Sequence, residues 1–167
     1  MPPPLRAAAE FDISYRLKSE KDLPFIERLY RSTREEELAM SGWPEALKQQ
    51  FVAHQLLMQT RHFEHAYPRA EWLLIERGGE AIGRLYVDDS EGGILLVDIA
   101  LLPESRGRGI GTAIVRDLLE QGRQAGRAVR LSVFRTNKAR RLYERVGFKP
   151  AGSAGAYDEM EWRDAEA

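Results

Sequence analysis

The sequence predicts a single α/β domain with a mixed, mostly antiparallel central sheet that is covered by helices on both faces. Its 167 residues suit one domain with a proper core. In the middle of the chain, three apolar runs are separated by the short turns RGGE and DDSEGG, which is typical of consecutive antiparallel hairpins. Segments with helical periodicity lie on both sides of these runs. The later ones alternate with single strands, which indicates crossover connections.

The chain is expected to begin with a disordered tail over residues 1–10, which include three consecutive prolines, and to form one domain over residues 11–167. The tail has no long apolar stretch, so it does not resemble a secretory signal. The segment FDISYRLKS (Phe11–Ser19) alternates apolar and polar residues and is therefore the first predicted strand.

Two helices are predicted after this strand. The segment SEKDLPFIERLYRSTREEEL is the first, because Ser19 or Asp22 can cap it and Pro24 falls in its first turn. Gly42 then breaks the chain, and Pro44 starts a second helix in the segment WPEALKQQFVAHQLLMQTRHF.

The second half of the chain supplies most of the sheet. The three hairpin strands lie in EWLLIERGGEAIGRLYVDDSEGGILLVDIALLP. They are followed by a helix (GTAIVRDLLEQGRQAG), a strand (RAVRLSVF), a short helix (NKARRLYERVGF) that Gly147 ends, and a closing strand region with the alternating AYDEMEW. The predicted order is therefore β-α-α-β-β-β-α-β-α-β-β.

Composition limits the function classes. The formal net charge of −1 gives no basic excess of the kind that a dedicated nucleic-acid-binding protein shows. The chain has no cysteine, which excludes disulfides, thiolate catalysis and cysteine-based zinc sites, and its three histidines match no known metal-ligand spacing, so no metal is expected. No apolar run approaches the ~20 residues of a membrane span. We therefore expect a cytoplasmic protein that binds neither nucleic acid nor membrane.

A glycine–arginine turn between a predicted strand and a predicted helix is the strongest candidate for a binding site. Gly107, Gly109 and Gly111 let an anion approach the backbone, and the first-turn amides of the following helix carry partial positive charge. Arg106 and Arg108 alternate with these glycines and add fork-shaped donors suited to phosphate. The turn therefore predicts a phosphate or pyrophosphate site, although a plain strand–helix turn with solvated arginines has the same composition.

The two common nucleotide motifs do not fit this turn. A dinucleotide fingerprint has the spacing G-x-G-x-x-G and an acidic residue at the end of the next strand, whereas this turn is G-x-G-x-G and that strand ends at Phe134 and Arg135. The Gly-Lys-Ser/Thr of a Walker loop is missing as well.

Two motifs resemble the GNAT N-acetyltransferase superfamily. RGRGIG (Arg106–Gly111) is similar to that family's [QR]-x-x-G-x-G/A motif, and the preceding VDIALLPES resembles its fourth strand. NKARRLYERVGF (Asn137–Phe148) resembles the second signature in outline, with Asn137 and Ala139 one residue closer than in the usual spelling. The predicted element order agrees with that fold from Ile13 to Trp162.

The resemblance implies an enzyme that moves an acetyl group from acetyl-CoA to a primary amine by direct attack. It implies that backbone amides of the turn hold the pyrophosphate of coenzyme A, and that the strand backbone at Ile99 and Leu101 pairs with the pantetheine arm. Arg108 then either reaches the 3′-phosphate region or stays in solvent. The cofactor-binding residues so implied are Ile99, Leu101, Arg106, Gly107, Arg108, Gly109, Ile110, Gly111, Thr112, Asn137 and Tyr143.

Two of these residues have a structural alternative. Asn137 matches the family's asparagine that contacts pantetheine, and it is equally a suitable N-cap for the helix KARRLYERV. Tyr143 matches the family's tyrosine near the thioester sulfur, where a phenol can donate a proton to a departing thiolate. Its alternative role is that of a core tyrosine beside Leu142.

Asp98 is the candidate general base or substrate contact, because it is a charged residue inside the apolar strand ILLVDIALL, where an unpaired charge is costly. The alternative is a structural ion pair with an arginine such as Arg84, which also interrupts an apolar strand. Strict alternation places Asp98 on the opposite face from Val97 and Ile99, unless a bulge changes the count.

The acceptor amine is expected to belong to a small molecule or a protein, and a homodimer is the expected assembly on the resemblance alone. A competing interpretation is a coenzyme-A-binding regulatory or interaction module without turnover. A third is the transfer of a longer acyl group.

Overall fold

The central sheet has seven strands in the spatial order β1-β2-β3-β4-β5-β7-β6, in a computed structural model that describes residues 2–166. Within that range the neighbouring strands are antiparallel except for the parallel pair β4–β5, which confirms the predicted mixed sheet. The strands are β1 (Ile13–Leu17), β2 (Glu71–Arg77), β3 (Glu80–Ser90), β4 (Gly93–Leu101), β5 (Val129–Phe134), β6 (Lys149–Ala154) and β7 (Tyr157–Trp162). The helices are α1 (Leu23–Thr33), α2 (Glu35–Ser41), α3 (Glu45–Ala66), α4 (Ile110–Ala125) and α5 (Arg140–Arg145).

The segment predicted as the first helix forms two helices, α1 and α2, which meet at Arg34. The hydroxyl groups of Ser32 and Thr33 donate hydrogen bonds of 2.6 Å to the carbonyls of Leu29 and Tyr30 in the turn before the break. Such local side-chain bonds compete with the helical backbone pattern, and Arg34 takes a φ of −111°. Three helices therefore precede β2, where the sequence predicts two.

Residues 6–8, which belong to the segment predicted to be a disordered tail, contact α4. The carboxylate of Asp117, which is 2% exposed, accepts backbone hydrogen bonds from Arg6, Ala7 and Ala8 at 3.1, 2.8 and 2.9 Å. Ala8 is fully buried and begins a short 3-10 helix that ends at Phe11. Met1 lies outside the described residues.

Two hydrophobic cores lie on opposite faces of the sheet, as the prediction of helices on both faces requires. On the α4 face, Leu73, Ile75 and Leu85 of the strands pack in one cluster with Ile114 and Leu118 of α4. On the α3 face, Leu74 packs against residues of α1, α2 and α3, namely Ile26, Tyr30, Leu38, Val52 and Leu56. Alternation along β2 directs successive side chains into the two cores.

Strand β4 leaves the sheet's regular pairing near its middle. Opposite β3, Asp98 pairs with Tyr86 but Leu96 pairs with Val87, so Val97 has no partner and forms a β-bulge. On the other side, the parallel pairing of β4 with β5 covers only residues 94–96 and stops at the bulge. Beyond it, residues 97–101 border an opening that we call the β4–β5 gap.

Within residues 2–166, no helix is both long and apolar enough to cross a lipid bilayer.

Candidate active site

A set of unpaired backbone amides lies where the glycine–arginine turn enters α4. Gly107 and Gly109 have φ values of +70° and +88°, a region that favours glycine because it has no Cβ. The first helical bond runs from the amide of Ala113 to the carbonyl of Gly109. Across the described residues, the amides of Ile110, Gly111 and Thr112 have no acceptor. We call these three groups the amide cradle, and its positive helix end suits an anion.

The two arginines of this turn have different surroundings. The guanidinium of Arg106 donates from Nε to the carbonyl of Leu101 at 2.9 Å and from Nη2 to the hydroxyl of Ser32 at 3.0 Å. It therefore joins the turn to the end of β4 and to α1. Arg108 is exposed and has no partner among residues 2–166, so its charge is available beside the amide cradle.

The backbone of β4 presents hydrogen-bonding groups to the β4–β5 gap. The amide of Leu102 donates to the carbonyl of Ile82 on the β3 side at 2.8 Å. Because alternate residues of an antiparallel strand bond to the same neighbour, Leu101 and Ile99 direct their amides and carbonyls away from β3 and towards the gap. Their side chains belong to the hydrophobic core on the α4 face. The gap thus offers a strand edge to an extended ligand.

Asn137 lies after β5 and caps the turn that leads into α5. Its Oδ1 accepts the amide of Ala139 at 2.9 Å, and its own amide donates to the carbonyl of Phe134 at 2.8 Å. Helix α5 begins at Arg140 with Ala139 as its N-cap and without a side-chain cap, so the predicted N-cap role of Asn137 is wrong and its side chain instead closes the turn before the helix. The side-chain amide nitrogen has no partner in the part of the chain that the structure describes, so it can still donate to a ligand.

Asp98 forms an ion pair with Arg84, the alternative that the sequence left open. The Nε of Arg84 lies 2.6 Å from Oδ2 of Asp98, and its Nη2 donates to Gln59 of α3 at 2.8 Å. The side chain of Arg84 is 5% exposed and that of Asp98 is 26% exposed. Burial lowers the pKa of Arg84, but attraction to Asp98 outweighs it and leaves the pKa raised, so the guanidinium stays charged. This pair fixes the Asp98 carboxylate while leaving part of it accessible.

Tyr143 on α5 is buried, with its ring 5.7 Å from that of Phe148 in an edge-to-face arrangement. Within residues 2–166 its hydroxyl has no hydrogen-bond partner. Burial, followed by the negative charge of Asp98, raises the pKa of Tyr143, so the phenol is protonated at neutral pH. The raised pKa favours hydrogen-bond donation by the phenol over complete proton transfer to a thiolate.

Comparison with a protein-family model identifies the family to which the chain belongs. The model of the acetyltransferase (GNAT) family matches residues 26–148, which is more than half of the chain and includes both the turn and Tyr143. The chain belongs to the GNAT acetyltransferase family. Its site is thus built on a fold whose members are acetyltransferases, as the sequence motifs imply.

Several solved structures have the same fold as this chain. The chain resembles the PaiA N-acetyltransferase from Thermoplasma acidophilum in complex with coenzyme A, with a TM-score of 0.66, 20% identity, and 91% and 99% of the two chains covered. It also resembles PH1933 from Pyrococcus horikoshii OT3, with a TM-score of 0.67, 20% identity and coverages of 91% and 98%. The ribosomal-protein-S18-alanine N-acetyltransferase from Escherichia coli matches with a TM-score of 0.54, 18% identity and coverages of 89% and 90%. Among curated proteins, none matches.

Sequence analysis did not identify two side chains that hydrogen-bond to residues of the candidate site. Ser32 receives a hydrogen bond from Arg106, and Gln59 receives one from Arg84. Neither has a local signal, because each lies in a helix and its partner is distant in sequence. Among residues 2–166, no group of three or more His, Cys, Asp or Glu side chains is arranged to hold a metal ion.

Proposed function

We propose that this protein is an acetyl-CoA-dependent N-acetyltransferase that transfers the acetyl group to a primary amine by direct attack. The observation that carries this proposal is the β4–β5 gap, which borders residues 97–101 of β4 and ends at Leu101, where Arg106 of the turn that forms the amide cradle donates a hydrogen bond. An anion site next to an open strand edge suits a ligand with a pyrophosphate and a peptide-like arm. The acceptor is an amine on a small molecule or a protein.

Coenzyme binding would use the backbone more than the side chains. The amide cradle would hold the pyrophosphate, and Arg108 would add charge nearby without a competing internal partner. The amides of Ile99 and Leu101 and the carbonyl of Ile99 would pair with the pantetheine arm as a strand does, while the carbonyl of Leu101 already accepts a hydrogen bond from Arg106. The free amide nitrogen of Asn137 would donate to the same arm across the gap.

In the chemical step, the lone pair of a neutral amine forms a C–N bond with the thioester carbonyl carbon. The tetrahedral intermediate then expels the coenzyme thiolate as the C–S bond breaks, and the extra proton that the nitrogen carries after the attack passes to this thiolate through solvent. Asp98, held by Arg84, would attract the acceptor ammonium and accept a proton from it directly or through water. Tyr143 would donate a hydrogen bond to the leaving sulfur, because its raised pKa keeps the phenol protonated.

Thiol release over a panel of primary amines tests the proposal. Because the chain has no cysteine, a thiol reagent detects only free coenzyme A. We expect saturable release that depends on both acetyl-CoA and an amine, with a stoichiometric acetylated product in the mass spectrum. Tight coenzyme binding by calorimetry without release from any amine would instead favour the non-catalytic module. Competition between acetyl-CoA and longer acyl-CoA donors tests the acyl preference.

A further inference from the structure

The N-terminal segment, which we define as residues 6–12, lies against α4 and is held at both ends. At its start, the Asp117 carboxylate of α4 accepts three of its backbone amides. At its end, the carbonyl of Asp12 accepts a hydrogen bond of 3.3 Å from the amide of Gly78 in the β2–β3 turn. The 3-10 helix between these points, Ala8–Phe11, packs against α4. The position of this segment relative to α4 is therefore fixed.

Phe11, the last residue of the 3-10 helix, contacts the glycine turn. Its Cζ lies 3.5 Å from the position that a Cβ of Gly109 would take. Apart from the chain neighbours of Gly109, no other atom of residues 2–166 comes within 4 Å of that position. The side chain of Phe11 is partly buried and packs against the hydrophobic core on the α4 face. The ring therefore connects this core to the N-cap residue of α4.

The glycine turn has few other constraints on its backbone. Gly107 and Gly109 have φ values of +70° and +88°, and glycine samples more backbone conformations than any other residue. Beyond its chain neighbours, no atom of residues 2–166 lies within 4 Å of the Cβ position of Gly107. The carbonyl of Gly109 accepts the first helical bond, from the amide of Ala113 at 3.0 Å. The orientation of Gly109 thus determines where α4 begins and how the amide cradle is directed.

We propose that Phe11 is a positioning residue of the coenzyme site, whose ring holds Gly109 and orders the amide cradle before the coenzyme binds. Order that exists in advance reduces the conformational entropy that binding of the pyrophosphate would otherwise cost. This inference rests on the proposed function, in which the cradle binds coenzyme A. Phe11 lies outside residues 26–148, which the family model matches, so that model does not specify this contact.

Calorimetric titration with coenzyme A tests the proposal in Phe11→Ala and Phe11→Leu. Phe11→Ala should raise the dissociation constant by about tenfold, because the glycine turn must then be ordered on binding. Phe11→Leu keeps a large apolar side chain beside Gly109 and should raise it by about threefold. In turnover, the KM for acetyl-CoA should rise in the same order, while kcat stays within about twofold because the ring does not touch the reacting groups.

Val129→Ala is the matched control, because it removes apolar volume from the same core at the opposite end of α4. Val129 is fully buried and lies against Gly122, about 20 Å along the helix from Gly109. This variant should lower the melting temperature but keep the dissociation constant of coenzyme A within about twofold of the wild type. Unchanged affinity in Phe11→Ala, or an equal loss of affinity in Val129→Ala, overturns the proposal. Should Phe11→Ala not fold, unchanged affinity in Phe11→Leu overturns it in the same way.

Hydrogen exchange at the amide of Ala113 separates failure of this proposal from failure of the proposed function, since it is measured without coenzyme. Amides in the first turn of a helix exchange by local opening, so the rate should rise by about tenfold in Phe11→Ala and stay unchanged in Val129→Ala. Faster exchange in a protein that does not bind coenzyme A would refute the proposed function but support the contact with Gly109. Turnover of acetyl-CoA by a wild type whose affinity and exchange are both unchanged in Phe11→Ala would do the reverse.

Discussion

Gly111→Glu should weaken coenzyme binding while leaving the protein at least as stable as the wild type. Gly111 lies in the first turn of α4, and its amide belongs to the amide cradle. A Cβ at this position would be 3.9 Å from Cδ1 of Leu101, which is ordinary contact. Glutamate is a better helix former than glycine, and an acidic side chain in the first turn interacts favourably with the helix dipole, so the folded state gains about 1 kcal/mol.

The loss of affinity comes from charge repulsion. A flexible glutamate side chain in the first turn can bring its carboxylate to about 6 Å from a phosphate held by the cradle, a distance at which two charges still interact. Two like charges at that distance repel by about 1 to 3 kcal/mol between the dielectric of water and that of a protein surface. The dissociation constant of acetyl-CoA should therefore rise by about 5- to 150-fold. Stability and affinity thus change in opposite directions.

Calorimetric titration with acetyl-CoA and thermal unfolding without it measure the two effects. Gly111→Gln is the control, since it has the same shape without the charge. The difference in affinity between the two variants should shrink as potassium chloride is added, because salt screens exposed charges. Gly109→Glu would be a poorer choice, because its φ of +88° adds backbone strain. If Gly111→Glu and Gly111→Gln bind acetyl-CoA equally well at low salt, the anion site has been assigned incorrectly.

Three further predictions concern other parts of the molecule. Tyr143→Phe should lower kcat by about 100-fold while changing the melting temperature little, because the hydroxyl has no partner among residues 2–166. Since burial raises the pKa of Tyr143, the wild-type rate should not fall through ionisation of this phenol up to about pH 10. A decrease in the wild-type rate below that pH that is absent in Tyr143→Phe would contradict this. Asp117→Ala should lower the free energy of unfolding by about 3 kcal/mol and accelerate hydrogen exchange at the amides of Ala7 and Ala8. Unchanged exchange at these two amides would be inconsistent with the observed hydrogen bonds. The paired guanidinium of Arg16 lowers the pKa of Asp22 in the folded state, so this carboxylate stabilises the fold above its unfolded pKa and loses that effect as the pH falls. The difference in melting temperature between the wild type and Asp22→Asn should therefore be present at pH 7 and shrink below about pH 4.

Local sequence patterns predicted most of the fold and the glycine turn at the start of α4. The spacing of Gly107, Gly109 and Gly111 was sufficient because an amide cradle is made by residues that are adjacent in the chain. The hairpins were similarly marked by short turns and alternation. The break at Arg34 was missed, because the helical pattern continues across it and only the hydroxyl bonds of Ser32 and Thr33 interrupt the backbone.

The role of Asp98 could not be decided from its own strand. Its position after the bulge at Val97 depends on the register against β3, and its ion pair with Arg84 depends on which side chains that register places opposite each other. The position of the Lys18 ammonium group over the rings of Trp72 and Tyr86 has the same origin, because the two rings lie on neighbouring strands.

The amino-acid sequence by itself determined the element order, the mixed sheet and the glycine turn, since periodicity and backbone freedom act over a few residues. Only the tertiary structure decided that Asp117 fixes the N-terminal segment, that Asp98 pairs with Arg84, and that β4 separates from β5 at the bulge. These features join residues that are distant in the chain. Their energies therefore depend on strand register and helix packing, which no local pattern specifies.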